Sequence, residues 1–138
     1  MSMKQLVLSV ADHAYIDPAT GKLYILGAFN RITAKKDVAF PLLHRVLTFV
    51  VKLGAEIGEI RDEHIISIMF AEEDGQEIFR IQQAFVFNKG TGGLFSEANI
   101  ILEIRDIVFE HSGEYQFNVE VDDHFIGSTA LVVTAQQE

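Results

Sequence analysis

Apolar and polar residues alternate along most of this chain, and the alternation is most regular over residues 112–122. Tyr115, Phe117, Val119 and Val121 occupy every second position there, with glutamate, glutamine and asparagine between them. A β-strand points successive side chains to opposite faces of its sheet. This segment is therefore predicted to be a strand with one buried and one solvated face.

The same period of two recurs in segments that are separated by turn-forming sequences. The other strand-like segments are 5–15, 22–28, 46–53, 64–72, 77–87, 96–105 and 124–134. A helical alternative over residues 57–69 is disfavoured by its many β-branched residues. Seven to nine strands at this spacing are typical of an antiparallel two-sheet sandwich. We predict a single all-β domain over residues 1–138, with immunoglobulin-like or jelly-roll topology.

Two turn sequences indicate where hairpins close. In the segment 17–21, Pro18 fixes φ after an aspartate and Gly21 supplies a positive φ. Asp74-Gly75 is the dipeptide of a tight two-residue hairpin turn. The strand after the first turn, Leu23–Ala28, is apolar on both faces, so we expect it to lie in the middle of a sheet.

The amino-acid composition limits the cellular compartments and the kinds of chemistry that are compatible with this chain. The chain contains 49% hydrophobic residues and 11 Phe, enough for a packed core rich in aromatic rings. It has no Cys, which excludes disulfides, thiolate catalysis and cysteine metal sites and fits a reducing compartment. No apolar stretch approaches the roughly 20 residues that span a bilayer, and no signal peptide is recognisable. We expect a cytoplasmic protein.

The net charge of −9 is distributed unevenly. Residues 1–52 carry seven Lys or Arg and three Asp or Glu, a net +4, whereas residues 97–138 carry one cation and nine acids, a net −8. A strongly acidic surface repels phosphate backbones and anionic headgroups, so nucleic acid and membrane partners are disfavoured. This uneven distribution has two explanations. The charged residues either cover ordinary solvent-exposed faces, or they provide complementary charges where two protomers meet.

Gly113, Tyr115 and Phe117 resemble the tyrosine corner of immunoglobulin-type sandwiches. In that corner the Tyr precedes a buried position by two residues, and its hydroxyl bonds to the backbone of the preceding turn. Phe117 would occupy the position that antibody domains give to cysteine. Because the chain has no Cys and no Trp, the resemblance implies the architecture and not membership of the immunoglobulin family.

A wider resemblance covers most of the chain. Its motifs, in order, are Lys22–Phe29, Phe40-Pro41, the 46–51 strand, Asp74-Gly75 and the Gly-x-Tyr-x-Phe-x-Val-x-Val-Asp run that begins at Gly113. This order is similar to that of an uncharacterised family of small bacterial proteins, a domain of unknown function. The resemblance implies a sandwich fold and a bacterial origin, and it implies no catalytic residues.

No reaction centre is recognisable among the residues that could carry chemistry. The five histidines are His13, His44, His64, His111 and His124. They form no His-x-His or His-x₃-His pair, so we expect them in surface turns rather than around a metal. The glycine-rich segment 88–93 lacks the Walker spacing, and no Gly-x-Ser-x-Gly elbow occurs. We predict no enzyme activity, no cofactor and no metal site, while calcium at the acidic turns Asp17, Asp74 or 122–123 stays an open alternative.

Phe40, Pro41, Leu42 and Leu43 form the one predicted loop that is strongly apolar. Such a segment either caps the open end of a sandwich or docks a partner, and we name it as the possible interaction site.

The function that these observations favour is a non-catalytic protein-interaction module that associates with itself as a homo-oligomer. Pairing of edge strands or of sheet faces would be the physical mode of association. One alternative is a small-ligand or carbohydrate-binding module, for which Tyr15 and Tyr24 are the candidate stacking residues. A metal-dependent enzyme of cupin type is the other alternative.

Overall fold

The computed structural model describes residues 3–56, 63–87 and 95–135. The strands along these residues are β1 (Lys4–Ile16), β2 (Leu23–Phe29), β3 (Arg31–Ala34), β4 (Leu42–Glu56), β5 (His64–Glu72), β6 (Glu77–Phe85), β7 (Phe95–Phe109), β8 (Gly113–Val121) and β9 (His124–Ala135). No helix occurs in the described part of the chain, and hence none that is long and apolar enough to cross a membrane. The glycine-rich segment 88–93 lies outside the described residues.

The strands form two sheets that pack face to face around a common core. One sheet has the order β2-β1-β4-β7, and the other has the order β3-β9-β8-β5-β6. Neighbouring strands are antiparallel, except that the short strand β3 runs parallel to β9. The predicted all-β sandwich is therefore confirmed, and the parallel β3–β9 pair is an addition to it.

The pairing of the strands is immunoglobulin-like. β4 and β7 are neighbours in one sheet, while β5, β8 and β9 are neighbours in the other, as strands B and E and strands C, F and G are in an immunoglobulin domain. The chain changes sheets on both sides of β3, between β4 and β5, between β6 and β7, and between β7 and β8. As a result β6 and β7, which are edge strands of different sheets, border the same open side of the sandwich.

Aromatic rings fill the space between the sheets. The ring centroid of Phe117 lies 4.8 Å from that of Phe49 in the opposite sheet and 4.7 Å from that of Phe70. Phe109 packs edge-to-face against Phe70 at 5.9 Å. The largest fully buried aliphatic side chains are Leu47, Leu53, Ile66, Ile68 and Leu131. Most of these residues occupy alternate strand positions, so the pattern that predicts the strands also predicts the core.

β2 is an edge strand, so the prediction that residues 23–28 lie in the middle of a sheet is wrong. Among the described residues the strand pairs only with β1, and Tyr24, Leu26 and Ala28 are exposed. An apolar composition on both faces ordinarily marks a strand that is covered on both sides. Here the outer face of the β1–β2 hairpin is open to solvent instead.

Candidate binding surfaces

A cleft opens between β6 and β7 on one side of the sandwich. Its volume is about 730 Å³, which is within the range of ligand-binding pockets. The apolar part of its lining consists of Ile78, Phe79, Ile81, Ile104, Ile107, Val108 and Tyr115. Since β6 and β7 are both edge strands, the cleft lies between two strands that each have one unpaired side.

Acidic side chains surround this cleft. Five carboxylates and one guanidinium belong to its lining. The ion pairs that involve them are Glu72–His111, Glu77–Arg80 and Glu103–Arg105. Asp106 and Glu110 make no ion pair with any residue in the described ranges. The cleft therefore presents uncompensated negative charge beside an apolar interior.

Asp106 marks an irregularity of β7 at the mouth of the cleft. Its φ is +55°, a conformation that aspartate tolerates better than most residues. Asp106 and Arg45 are absent from an otherwise continuous register between β7 and β4. The buried side chains of β7 lie at even-numbered positions up to Ile104 and at odd-numbered positions from Ile107 onward, so the inward-facing side shifts by one residue here. Arg105 and Asp106 are consequently both exposed beside the cleft.

A tyrosine corner lies at one end of the cleft. The hydroxyl of the buried Tyr115 donates a hydrogen bond to the His111 carbonyl oxygen at 2.7 Å. Gly113 begins β8 with a φ of +147°, and Phe117 is fully buried two residues beyond the Tyr. These residues have the geometry of the corner in immunoglobulin-type sandwiches.

The His111 side chain connects this corner to β5. Its Nδ1 lies 3.0 Å from the Ser112 carbonyl oxygen, and its Nε2 lies 2.9 Å from the Glu72 carboxylate. Both partners can only accept, so both ring nitrogens must donate and the imidazolium form is favoured. The Ser112 carbonyl and the Glu72 carboxylate accordingly raise the pKa of His111. The ring also stacks on Tyr115 with centroids 5.8 Å apart.

A second exposed surface lies on the outer side of the β1–β2 hairpin. Tyr15 and Tyr24 are cross-strand partners whose rings stack with centroids 5.0 Å apart and planes 7° apart. Leu26 lies opposite His13 in the same register, and half of its surface (50%) is exposed. No charged residue occurs in β2. We call Tyr15, Tyr24 and Leu26 the β2 face.

His64 and Asp122 form a close pair that the sequence pattern did not indicate. The Nδ1 of His64 donates to the Asp122 carboxylate at 2.6 Å, and the Ile65 amide donates to the same carboxylate at 3.0 Å. Burial acts to raise the pKa of Asp122, but the hydrogen bonds from His64 and Ile65 outweigh it and lower the pKa on balance. The prediction that His64 occupies a surface turn is wrong, because it begins β5 and packs against Phe85 and Phe87 at 5.6 and 5.5 Å.

The other histidines lie on different elements of the fold. His13 and His44 belong to strands rather than to turns, and His44 is half-buried. His111 and His124 are exposed and lie just beyond opposite ends of β8. Within residues 3–56, 63–87 and 95–135, no three metal-ligating side chains come together.

The acidic turns use their carboxylates internally. Asp17 accepts the Ala19 amide at 2.9 Å, and Asp74 accepts the Gln76 amide at 2.9 Å. Side chains that bond the backbone two residues ahead are a common means of stabilising turns. The aspartates at these two positions are therefore explained by their role in stabilising the turns.

The segment Phe40–Leu43 is only in part the loop that was expected, because β4 begins at Leu42. Phe40 and Leu42 pack against the core. Pro41 and Leu43 are exposed, so the segment is anchored on one side and open on the other. Half of the Leu43 surface (51%) is exposed, so this side chain is available to a partner.

Sequence reasoning missed the cleft, although one signal for it was present. Glu103, Asp106 and Glu110 follow one another in the most acidic part of the chain. Acidic residues alone do not indicate a cleft, because they are typical of any solvent-exposed strand face. Only the pairing of the strands brings them beside Glu72 and Glu77 from another sheet.

The fold and its exposed surfaces define an immunoglobulin-like β-sandwich. Residues 6–134 match the model of a family described as Family of unknown function (DUF6941), and the chain belongs to this family. No curated protein sequence matches the chain significantly.

Solved structures of larger proteins contain a similar sandwich. One is the alkylpurine DNA glycosylase AlkC of Pseudomonas fluorescens bound to DNA containing an abasic site analogue, with a TM-score of 0.52 and 12% identity over 97% of this chain and 31% of that one. Another is a β-glucosidase from Listeria innocua in complex with isofagomine, with a TM-score of 0.53 and 9% identity over 96% of this chain and 16% of that one. The chain thus spans less than a third of either protein, and the likeness concerns the fold alone.

Proposed function

We propose that this protein is a non-catalytic binding module that associates with itself through the edge strand β2. The observation that carries the proposal is the contrast between β2 and the other edge strands. β2 is apolar, free of charge and exposed, whereas the others carry features that discourage pairing.

Edge strands are ordinarily protected by charge, by short length or by an irregularity, since their unpaired backbone groups attract other strands. β7 has the irregularity at Asp106, β6 carries Arg80, and β3 is four residues long and begins with Arg31. β2 has seven residues and no charged side chain, and its segment Leu23–Leu26 contains no irregularity. Its one irregularity, the positive φ of Gly27, follows this segment.

The side chains of the β2 face suit a protein interface. The stacked rings of Tyr15 and Tyr24 form a rigid aromatic surface, and tyrosine is enriched at the centres of interfaces. Leu26 extends this surface with an exposed aliphatic side chain.

Pairing of β2 with the same strand of a second copy would cover both the unpaired backbone edge and the exposed apolar side chains. An antiparallel arrangement about a two-fold axis is self-complementary, so one patch supplies both halves of the contact. It joins two four-stranded sheets into one continuous sheet and satisfies the free backbone groups of both strands. No like charges from within β2 are brought together, because the strand carries none.

The titratable contacts of the described residues are consistent with a non-catalytic role. The His64–Asp122 pair joins β5 to the turn after β8, and the His111–Glu72 pair joins β5 to the turn before β8. Both pairs therefore connect elements of the fold. The lack of cysteine in the sequence supports a cytoplasmic location.

The oligomeric state of matched variants tests the proposal. Leu26→Lys places a charge on the edge, and Ile65→Lys makes a comparable change on a central strand, since the two side chains are 50% and 49% exposed. Light scattering after size-exclusion chromatography is expected to find a dimer for the natural protein and for Ile65→Lys, and a monomer for Leu26→Lys. Thermal unfolding identifies any variant that fails to fold.

Hydrogen exchange provides a second measurement of the same contact. Backbone amides of Leu23–Leu26 that point away from β1 are expected to become protected as protein concentration increases. A natural protein that stays monomeric at high concentration contradicts the proposal. So does a dimer that Ile65→Lys disrupts and Leu26→Lys does not.

A further inference from the structure

We infer that the cleft between β6 and β7 binds an extended polypeptide segment in which apolar side chains alternate with Lys or Arg. This site is on the side of the sandwich away from β2, since β2 and β7 are opposite edges of one sheet. The inference therefore stands independently of self-association through β2.

The apolar interior sets the first requirement on the ligand. Ile81, Ile104 and Ile107 line the cleft between the sheets, while Ile78 and Val108 are exposed near its mouth. Removing these apolar surfaces from water favours binding of a partner with apolar side chains of its own. A volume of about 730 Å³ is enough for more than one such side chain.

The charge around the cleft sets the second requirement. Three of the five carboxylates in the lining are ion-paired with Arg80, Arg105 and His111, which leaves two unpaired negative charges beside the cleft. Asp106 and Glu110 are the carboxylates without an ion pair among the described residues, so they are the ones available to a cationic partner. Complementary charge at such a rim governs the choice of partner and the rate of association. Nucleic acids and acidic peptides are repelled by it.

The two strands that border the cleft favour an extended peptide over a compact ligand. β6 and β7 run along the two sides of the cleft, so an elongated ligand can follow both strands without pairing with their protected backbone edges. An extended segment points alternate side chains to opposite sides. Apolar residues can then enter the cleft while cationic residues remain at its acidic rim.

Binding of a designed peptide to the full chain tests this inference. The probe is a short, capped, fluorescent peptide of alternating isoleucine and lysine, and its counterpart has glutamate in place of lysine. Fluorescence anisotropy is expected to detect saturable binding of the lysine peptide only. Increasing the ionic strength from about 0.01 M to about 0.15 M shortens the screening length from about 30 Å to about 8 Å and is expected to weaken binding.

Charge variants locate the binding site. The double variant Asp106→Asn/Glu110→Gln removes both available carboxylates and keeps the side chains nearly isosteric. We expect its Kd for the lysine peptide to rise by roughly three- to tenfold, the range of two surface ion pairs. Asn also tolerates the positive φ at position 106.

Asp123→Asn is the matched control for this substitution. Asp123 is an exposed aspartate with a φ of +67°, in the turn at the far end of β8 from the Tyr115 corner. Its variant is expected to bind the lysine peptide like the natural protein. Ile78→Thr on the cleft and Ile65→Thr on the outer face form a second pair, of which only Ile78→Thr should weaken binding.

Three outcomes would overturn the inference. The first is equal binding of the lysine and glutamate peptides, and the second is unchanged binding by the double charge variant. The third is full competition by spermine, a flexible polyamine without apolar side chains, because the site would then be specific for small cations. Failure of this site leaves the dimer experiment unaffected, since Leu26 lies on the opposite edge.

Discussion

The Nδ1 of His64 donates a hydrogen bond to Oδ2 of Asp122 at 2.6 Å, which joins residues 58 positions apart in the sequence. This contact fixes the start of β5 against the turn that follows β8. Asp122 adopts a φ of +49° and also accepts the Ile65 amide, so one side chain stabilises both the turn and the neighbouring strand.

Asp122→Asn is expected to lower the free energy of unfolding near pH 7 by about 1 kcal/mol through the weakened hydrogen bond to His64. We expect no more because 35% of the Asp122 side chain is exposed. The folded pKa of Asp122 is lowered, so its contribution is present above the unfolded pKa of about 3.9 and disappears as the pH falls through the folded value. Urea denaturation at a series of pH values measures this.

The acid-range dependence should be weaker in Asp122→Asn, since the variant lacks the titrating group. Asp123→Asn, at the adjacent exposed position with a φ of +67°, is the control. Equal effects of the two substitutions on stability would show that the bond to His64 contributes nothing.

Tyr115→Phe tests the corner at the end of the cleft. The substitution removes the donor of the 2.7 Å hydrogen bond to the His111 carbonyl and leaves the packing of the ring intact. We expect a loss of about 1–2 kcal/mol in chemical denaturation. Tyr24→Phe, which removes an exposed hydroxyl, should change stability by less than about 0.5 kcal/mol. A stability of Tyr115→Phe equal to that of the natural protein would contradict a role for the bond.

His111 should titrate above the ordinary value for histidine, about 6.5, in a pH series of NMR spectra. A raised folded pKa means that its contribution to stability is complete below the unfolded pKa and is lost as the pH rises through the folded one. Glu72→Gln removes the negative acceptor at Nε2 and should move the His111 titration to lower pH. An unchanged titration in Glu72→Gln would mean that the contact is not formed in solution.

Gly27→Ala should destabilise the β1–β2 hairpin. Gly27 has a φ of +68°, and a Cβ atom there would lie 2.5 Å from the Asp12 carboxylate. Gly21→Ala is the control, because it has a similar φ of +71° and open space around the added atom. Both variants carry a backbone cost of about 1 kcal/mol, and thermal unfolding should reveal an additional loss for Gly27→Ala. Truncation of the contacted side chain, in Gly27→Ala/Asp12→Ala, should recover that additional part.

The sequence pattern succeeded where the answer depends on positions along one strand. The alternation at Tyr115, Phe117 and Val119 identified a strand, its buried face and the residues of the corner. It failed for Leu23–Ala28, because apolar residues on both faces do not reveal how many neighbours a strand has. It also failed for His64, since the type of residue does not reveal which rings cover it.

The order of apolar and polar side chains by itself determined that this chain is an all-β sandwich with a core rich in phenylalanine, because the period of two fixes which side chains share a face. Tertiary structure alone decided which strands lie at the edges, which carboxylates meet at the cleft and which acids pair with His64 and His111. These relations depend on pairing between distant segments, and no local pattern encodes the register or neighbours of a strand. For that reason Asp106 and Glu77 border one cleft although they belong to different sheets.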